Sequence, residues 1–326
     1  MAVDVETVVK IAAYAGGGMA MGFGAIGAAV GEGYTAARAN LAISRSRNPE
    51  ISGEIFKNML VGQAVAESAS IFALVIAILL LFLDVPLPSL LKAAALLAAG
   101  ISMGFGAIGS GVGSGYPGGE ACFGIAKQPE IASQLTTNML IGSAVCQTPA
   151  IFSMVVALML MFIEFGNAPL QPTWAAYLGA GLSMGLAAIG SGYGGGLAAG
   201  ASCEGISRQP KTAPSVTTIM LVGQAVSQTP SIFGLLISFI LMFKSFPEST
   251  ALSAAMALLA AGICMGFGGI GPGIGNGMAA EGAVRWVARN VEHAGDLMRI
   301  MLVGQAVSQS TAIYAMVVSL VLIFVV

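Results

Sequence analysis

Long apolar segments alternate with short polar interruptions along the chain. One segment covers residues 8–46, polar residues around Pro49 interrupt the pattern, and a second segment covers residues 52–83. A helix needs about 20 apolar residues to cross a bilayer, so each segment is long enough to span it. Neither segment alternates apolar and polar residues over about ten positions, as the strands of a membrane β-barrel do. The pattern predicts a transmembrane helical hairpin.

This hairpin pattern occurs four times. The phrase KNMLVGQAVAESASIF around Glu67 returns around Gln147, Gln228 and Gln309, at spacings of 80, 81 and 81 residues. A fixed period of this kind indicates a repeat protein. We therefore predict an all-α membrane protein of four tandem hairpins, with eight spans, that assembles into a ring. The expected hairpins are residues 1–86 (hairpin 1, with the ion-binding site), 87–168 (hairpin 2), 169–248 (hairpin 3) and 249–326 (hairpin 4).

The composition agrees with burial in lipid. Only 9% of the residues are charged and 56% are hydrophobic, whereas soluble chains carry about 25% charged residues. This excludes a water-soluble or nucleic-acid-binding protein. Glycine-rich strings such as GSGVGSG (109–115) recur in the first segment of the hairpins; a phosphate-binding loop is the weaker interpretation, because no strand precedes them. Small residues let helices approach closely, so we expect the first helices to form a tight inner layer and the second helices an outer one.

Basic residues indicate the orientation of the hairpins. Ten of the 13 Lys and Arg residues lie at or near the polar breaks, and only Lys10, Lys92 and Lys244 lie at the opposite ends. Because cytoplasmic loops are enriched in Lys and Arg, the hairpin loops are expected in the cytoplasm. Both termini are then expected on the opposite side of the membrane.

Two carboxylates lie within the apolar segments. Glu32 is in the first helix of hairpin 1 and Glu67 in the second, and their midpoint falls at the Pro49 break. Folding at the break therefore brings both to one depth, where an ionisable residue is costly and indicates function. The same construction gives uncharged pairs in the other hairpins: Ser114 with Gln147, Gly195 with Gln228, and Asn276 with Gln309.

Catalytic constellations are not evident in the sequence. The single histidine, His293, lies in the last polar break, and there is no Ser-His-Asp, Cys-His or Walker-type motif. The four cysteines lie in apolar stretches, where they are expected to act as packing residues. We expect a non-catalytic, ion-translocating subunit that needs no organic cofactor and binds no nucleic acid.

Several motifs resemble one known family. The glycine-rich first helix, the breaks RNPE, KQPE and RQPK, and the segment GQAVAESASIFALVIAILLLF are similar to the proteolipid c subunit of F-type rotary ATP synthases and ATPases. V-type and archaeal relatives also fuse hairpins, but the polar break and second helix here look more F-type. The resemblance implies a ring of copies in membrane lipid. It also implies that Glu67 is the ion-carrying carboxylate, which meets an essential arginine of the stator a subunit.

In this family the polar loops hold the central-stalk subunits. Carried over to this chain, the resemblance implies that the stalk contacts are made by Arg47, Asn48, Pro49, Gln128, Pro129, Gln209 and Pro210.

The transported ion is predicted to be Na⁺, with H⁺ as the alternative. Sodium-carrying relatives have a polar residue at the position of Glu32 and a hydroxyl directly after the carboxylate, here Ser68. Oxygen ligands suit a hard cation, whereas a proton site needs only Glu67 and an apolar cage. Phe72 stands where sodium-type relatives often have tyrosine. The Na⁺ ligands expected are Glu32, Glu67 and Ser68, within a predicted ion site of Glu67, Glu32, Ser68, Gln63, Val65 and Tyr314. A protonated packing residue remains the alternative role of Glu32.

The neighbour that completes the ion site is open at this stage. At the position of Phe72 the other hairpins have Phe152, Phe233 and Tyr314, so an aromatic hydroxyl occurs only in hairpin 4. We predict that Tyr314 donates a hydrogen bond to Glu67 across the seam between two chains. Thr148 of the same chain is the competing candidate.

These expectations combine into a function. The chain is predicted to be a rotor-ring subunit that carries Na⁺ or H⁺ on a mid-membrane carboxylate, coupled to ATP hydrolysis or synthesis. The alternative is a non-rotary ring-forming channel or structural proteolipid. Carboxylates in one hairpin of four count against this alternative, because a passive pore has no need to distinguish one hairpin.

Overall fold

The chain folds as a series of long helices. The computed structural model describes residues 4–46 and 48–325, and all regular secondary structure within these ranges is helical. Ten α-helices occur in order: α1 (Val5–Arg45), α2 (Ser52–Phe82), α3 (Leu90–Lys127), α4 (Ala132–Cys146), α5 (Thr148–Phe162), α6 (Leu170–Arg208), α7 (Ala213–Ser227), α8 (Thr229–Phe243), α9 (Leu252–Val287) and α10 (Ala294–Val325).

A short 3₁₀ turn reverses the chain at each predicted polar break. Proline begins three of these turns, because its ring fixes φ at a value compatible with a turn and disfavours helix at the preceding residue. In the first turn the Asn48 side chain also accepts a hydrogen bond from the Glu50 backbone N–H at 2.9 Å. The four turns are Pro49–Ile51, Pro129–Ile131, Pro210–Thr212 and Val291–His293.

Among residues 4–46 and 48–325, eight helical segments are long and apolar enough to cross a membrane. They pair across the four turns into four antiparallel hairpins, as the sequence predicted. The protein is therefore a multi-pass integral membrane protein.

The first helices of the four hairpins pack side by side. α1 contacts α3, α3 contacts α6 and α6 contacts α9 over long interfaces, whereas the second helices contact one another much less. Glycine makes this layer possible: a β-carbon at Gly109 would collide with the Ile189 carbonyl oxygen, and one at Gly190 would collide with the Ile270 carbonyl oxygen. The chemistry of small residues thus produces one close-packed helix layer.

The second span is broken in hairpins 2 and 3 and continuous in hairpins 1 and 4. The break lies at Gln147 between α4 and α5, and at Gln228 between α7 and α8. Pro149 and Pro230 follow two residues later, and a proline lacks the N–H that would bond to the carbonyl four residues earlier. The prolines explain why the helical hydrogen bonding is interrupted at these two residues, whose own backbone stays in the right-handed helical region.

The four hairpins form an open row. Hairpins 2 and 3 have neighbours on both sides, whereas in the described part of the chain α1 and α9 share no interface like those between successive first helices. Large apolar side chains remain exposed on the terminal hairpins, including Phe56 at 54% and Ile300 at 69%. The two ends of the row are therefore free to contact other molecules.

Candidate functional site

Each hairpin has a locus, by which we mean the pair of residues that the midpoint construction gave, one on each helix. The two residues of a locus lie side by side, one turn or more from either end of the spans. In hairpin 2 the Gln147 Nε2 donates to Ser114 Oγ at 2.7 Å. In hairpin 4 the Asn276 Nδ2 donates to Gln309 Oε1, also at 2.7 Å. Hairpin 3 has Gly195 at the first-helix position, and a β-carbon there would lie 3.2 Å from Gln228 Nε2. The structure thus brings together the pairs that the midpoint construction gave.

In hairpin 1 the corresponding residues are acids. Glu32 is half-buried on α1, and Glu67 is exposed on α2. The Gln63 Nε2 donates to the Glu32 carbonyl oxygen at 3.3 Å, which holds the two helices together one turn from Glu67. Within residues 4–46 and 48–325, no hydrogen bond or ion pair holds either carboxylate side chain. Both carboxylates are therefore unpaired in the part of the chain that the structure describes.

Other acids of the first helices are already paired with cations. Glu120 accepts from the Arg38 guanidinium at 2.5 Å and from the Tyr34 hydroxyl at 2.7 Å. Glu204 is bridged by Arg208 and Arg285. These contacts link neighbouring hairpins near the polar turns, so these acids have a structural role there.

Hydrogen bonds join the loci of hairpins 2 and 4 to the preceding hairpin, and both bonds end at equivalent backbone positions. The Gln147 Nε2 of hairpin 2 donates to the Val65 carbonyl oxygen of hairpin 1 at 2.9 Å. The Asn276 Nδ2 of hairpin 4 makes the same kind of contact with the Val226 carbonyl oxygen of hairpin 3 at 3.4 Å. Each of these two loci therefore faces the preceding hairpin and takes a backbone carbonyl from it.

Two of the predicted ligands, Val65 and Ser68, take part in hydrogen bonds of this region. Val65 and Ser68 were assigned to the Glu67 site, but the Val65 carbonyl accepts from Gln147. The Ser68 hydroxyl donates to the same carbonyl within α2, so the Val65 carbonyl accepts from both hairpins. The sequence could not show which side of α2 faces which neighbour. Applied to hairpin 1, the same register selects the equivalents of Val65 and Ser68 in a preceding hairpin 4, Val307 and Ser310.

The glutamines one turn before the loci of hairpins 3 and 4 also contact the preceding hairpin. The Gln224 Nε2 donates to the Gly142 carbonyl of the preceding hairpin at 2.9 Å, and the Gln305 Nε2 donates to the Gly223 carbonyl at 3.0 Å. The equivalent Gln63 makes only the contact within its own hairpin among the described residues. Within one chain, hairpin 1 therefore has no preceding hairpin for its side chains to contact.

Exposure of the site residues shows where this neighbour is missing. Glu67 is exposed, whereas Gln147 and Gln228 are each only 6% exposed. On the other end of the row, Tyr314 is 65% exposed, whereas its equivalent Phe72 is partly buried by packing. The exposed site residues therefore lie on the two terminal hairpins of the row. Tyr314 and Glu67 are not brought together within one chain.

The residues expected at the stalk lie together at the turn end of the hairpins. Asn48, Pro49, Pro129 and Gln209 are exposed there, while Gln128 and Pro210 are half-buried. Arg47 lies outside the described residues. The exposed positions are accessible to a partner.

A metal centre of the usual kind is absent from the residues that the structure describes: they contain no group of three or more His, Cys, Asp or Glu side chains that could hold a metal ion. A cation at the Glu32–Glu67 locus would therefore need neutral oxygen ligands in addition to the two carboxylates. Such mixed oxygen sets suit hard cations.

The fold and the site define a class of protein: a membrane protein of repeated hairpins, packed through glycine, with one mid-membrane carboxylate pair. The chain belongs to the family of ATP synthase C subunits, whose family model matches residues 15–80, 97–160, 178–241 and 259–322, once in each hairpin. It is a fused multi-hairpin member of this family, as its motifs predicted.

Individual relatives agree with this membership. The K subunit of the A-type ATP synthase of Methanocaldococcus jannaschii is 30% identical over 197 residues, which cover 60% of this chain and 82% of that protein. The ATP synthase c subunit of Petrotoga mobilis is 50% identical over 68 residues, or 21% of this chain and 71% of that protein. That of Thermotoga maritima is 43% identical over 67 residues, covering 21% and 79%. The matching relatives thus include both a longer A-type protein and short c subunits.

Proposed function

We propose that copies of this chain form the rotor ring of a rotary ATPase and carry Na⁺ on Glu67. Family membership supports the rotor-ring role. The single observation that supports the carrier assignment is the Glu32–Glu67 locus, whose side chains have no partner in the described chain while the three equivalent loci are neutral and largely closed.

The physical basis of the transport is the cost of charge in lipid. A bare carboxylate in the bilayer costs at least about 2.5 kcal/mol, whereas a carboxylate paired with a cation can face lipid. Glu67 can therefore pass lipid when loaded and must release its ion near a fixed positive charge, which the stator arginine supplies in this proposal. A membrane potential contributes about 2.3 kcal/mol per elementary charge per 100 mV. Loading on one side and release on the other then couple ion flow to rotation.

Sodium is favoured over the proton by the second carboxylate. Glu32 and Glu67 face one locus, and two nearby carboxylates cannot both remain charged without a cation. One of them holding a proton and both coordinating Na⁺ gives the locus a neutral total charge. A proton carrier would require only Glu67.

The remaining ligands are supplied across the seam between two chains. Inside the chain, the loci of hairpins 2 and 4 each take a carbonyl oxygen from the preceding hairpin. For Glu67 the preceding hairpin is hairpin 4 of a neighbouring chain, where the Val307 carbonyl and the Ser310 hydroxyl occupy the equivalent positions. Tyr314 lies on the same exposed face of α10 and donates its hydroxyl hydrogen to Glu67 in this proposal.

Carbodiimide labelling tests the carrier and its ion. The reagent attacks protonated carboxyls buried in the membrane, and the proposal requires one Na⁺-protected label per chain, at Glu67. Labelling of purified rings with and without NaCl, followed by peptide mass spectrometry, gives both the position and the protection. Labelling that responds to pH alone, with no effect of Na⁺, would assign a proton carrier. Several labelled positions per chain would contradict the single-carrier ring.

A cysteine pair tests the seam. Within the chain, the Thr136 Oγ1 donates to Asn58 Oδ1 at 2.8 Å, and Thr217 makes the same contact with Asn138 at 2.8 Å. The repeat places Ile300 at the position of Asn58, and Phe56 of the next chain at that of Thr136. Oxidation of the double variant Phe56→Cys/Ile300→Cys is expected to give a ladder of linked chains on denaturing gels.

Either cysteine variant alone serves as the control and should give no ladder beyond the background of the native cysteines. A double variant that remains a monomer after oxidation contradicts this seam while leaving the carrier assignment of Glu67 untouched.

One carrier for every four hairpins has an energetic consequence. Few ions cross per turn for a ring of given size, and each ATP hydrolysed then moves few ions. A small number of ions per ATP favours ATP-driven pumping against a steep gradient over ATP synthesis. Measuring the ion-to-ATP ratio in vesicles with the intact complex tests this: a ratio as high as one carrier per hairpin would require is incompatible with the proposal.

A further inference from the structure

A cavity of about 650 Å³ lies between hairpins 2 and 3, at the end of the helices opposite the polar turns. Its walls come from the end of α5, the start of α6 and the end of α8, with Phe165, Tyr177 and Phe246 among the aromatic side chains. Its size is that of a small-molecule site. It lies where the apolar spans end, at the level expected for lipid headgroups, and aromatic residues are typical of this level. Both hairpins have their neighbours inside the chain, so contacts between copies leave the cavity open.

Two opposite charges line this cavity without meeting. Glu164 is exposed on one wall and Lys244 half-buried on another, and no ion pair within the described ranges includes either of them. Lys244 donates to the Ile323 carbonyl at 3.1 Å and lies 4.5 Å from the centre of the Phe246 ring. One donor of its ammonium group is thereby used, and the positive charge is fixed in place.

The hydroxyl of Thr173 is a second unpaired group at this wall. Thr173 is 5% exposed, lines the cavity, and its Oγ1 has no hydrogen-bond partner in the described chain. A buried polar atom without a partner destabilises the fold, and a bound polar group within its reach removes that cost. The Tyr177 side chain, one turn further along α6, adds a second hydroxyl-bearing wall residue.

Hairpin 1 offers an internal comparison. A cavity of about 330 Å³ at the same end is lined by Glu6, Lys10 and Tyr14. There the acid and the base bind each other, with Lys10 Nζ 2.6 Å from Glu6 Oε1. In the repeat, Lys10 and Tyr14 correspond to Thr173 and Tyr177. The smaller cavity thus pairs its one lysine with an acid of its own wall, whereas the larger one keeps its acid and its base apart.

We propose that the cavity between hairpins 2 and 3 binds a zwitterionic phospholipid whose headgroup carries both a phosphate and a primary ammonium. The ammonium binds Glu164 and the phosphate binds Lys244, with the threonine and tyrosine hydroxyls beside them, while the acyl chains follow the apolar surface of α8 into the membrane. The site does not depend on ion transport, so its failure and that of the proposed rotor function are separable.

Native mass spectrometry of the purified full-length protein tests the site. The protein is delipidated and incubated with equal amounts of phosphatidylethanolamine and phosphatidylglycerol, and the expected result is preferential retention of phosphatidylethanolamine. Glu164→Gln should lower this retention about three-fold, the size of one partly exposed ion pair. The matched control is Glu248→Gln, which removes an exposed acid of the same end that does not line the cavity.

A second variant separates binding from folding. Thr173→Val replaces an unpaired buried hydroxyl by a methyl group, so the fold is expected to tolerate it while phosphatidylethanolamine retention falls. Equal retention of the two lipids would overturn the proposal, as would equal retention by the Glu164 and Glu248 variants. Preference for phosphatidylglycerol would also overturn it, since that result requires a site for anions alone.

Discussion

Hairpins 1 and 4 both have a continuous second span and a similar sequence around the locus. They differ in how their polar mid-membrane residues are accommodated. In hairpin 4 the Asn276 amide donates to Gln309, which is 9% exposed, so the locus is neutral and closed. In hairpin 1 the same two positions hold Glu32 and Glu67, and Glu67 is exposed. The comparison indicates that burial of the locus depends on the preceding hairpin. Hairpin 4 has this neighbour within the chain, whereas hairpin 1 does not.

The largest expected effect is that of Glu67→Gln. This variant makes hairpin 1 neutral at this position like the other three hairpins, so ATP-driven Na⁺ uptake by vesicles containing the complete complex should be abolished. Assembly should survive, because Gln147, Gln228 and Gln309 occupy the same position in the repeat. Glu248→Gln is the control for loss of an acid elsewhere. Near-normal uptake by the Glu67 variant would refute the carrier assignment.

A smaller effect is expected from Tyr314→Phe, which removes one hydroxyl from the exposed face of α10. A hydrogen bond to a charged group contributes about 1.5–3 kcal/mol, so Na⁺ should protect Glu67 from carbodiimide roughly ten-fold less well. The half-protecting Na⁺ concentration is the measurement.

The competing Thr148 provides the contrast within the chain. Thr148→Val should leave the half-protecting concentration unchanged, because Thr148 lies on the hairpin that follows hairpin 1. The reverse pattern, with weaker protection in the Thr148 variant alone, would place the completing neighbour inside the chain.

Gln309→Glu tests whether hairpin 4 differs from hairpin 1 only in its charge. The Asn276 amide, 2.7 Å from Gln309 Oε1, can donate equally to a carboxyl oxygen. We expect the carbodiimide label to rise about two-fold, from one site per chain to two, since a mid-membrane carboxyl is held protonated by its surroundings. Peptide mapping identifies the second site. An unchanged single label would show that more than the amide separates the two loci.

The smallest effect concerns the interfaces inside the chain. Thr136→Val removes the bond to the buried Asn58 and should lower the stability of the chain in mixed micelles by about 1 kcal/mol. Ion affinity should not change, because the seam has Ile300 and Phe56 at these positions. Thr137→Val is the matched control, since the exposed Thr137 hydroxyl bonds only to its own helix. Equal destabilisation by both variants would contradict the role of the inter-hairpin bond.

The sequence predicted the fold well because its signals are local. Apolar length, polar breaks and a fixed period defined the hairpins, and the turns lie at those breaks. The helix interruptions at Gln147 and Gln228 were missed, although Pro149 and Pro230 carried the signal. The midpoint construction also gave the pairs at each locus, because two antiparallel helices of equal rise keep equal distances from their turn.

The sequence did not predict which neighbour each predicted ligand meets, and for a physical reason. Val65 is close to Glu67 in the sequence, but its carbonyl accepts from Gln147 of hairpin 2. Which face of a helix meets which neighbour depends on packing between hairpins, and a single repeat does not encode it. The bond between Thr136 and Asn58 was missed likewise, because its partners are 78 residues apart.

Covalent fusion of the four hairpins has a consequence for inheritance. When one gene encodes one hairpin, a mutation of the site residue changes every copy in the assembly at once. Here four hairpins follow one another in one chain, so a mutation at one of the four equivalent positions leaves the other three unchanged. Fusion also fixes the arrangement itself: Glu67 and the three glutamines occur in the same order in every copy of this sequence, with no need to regulate the proportions of separate genes.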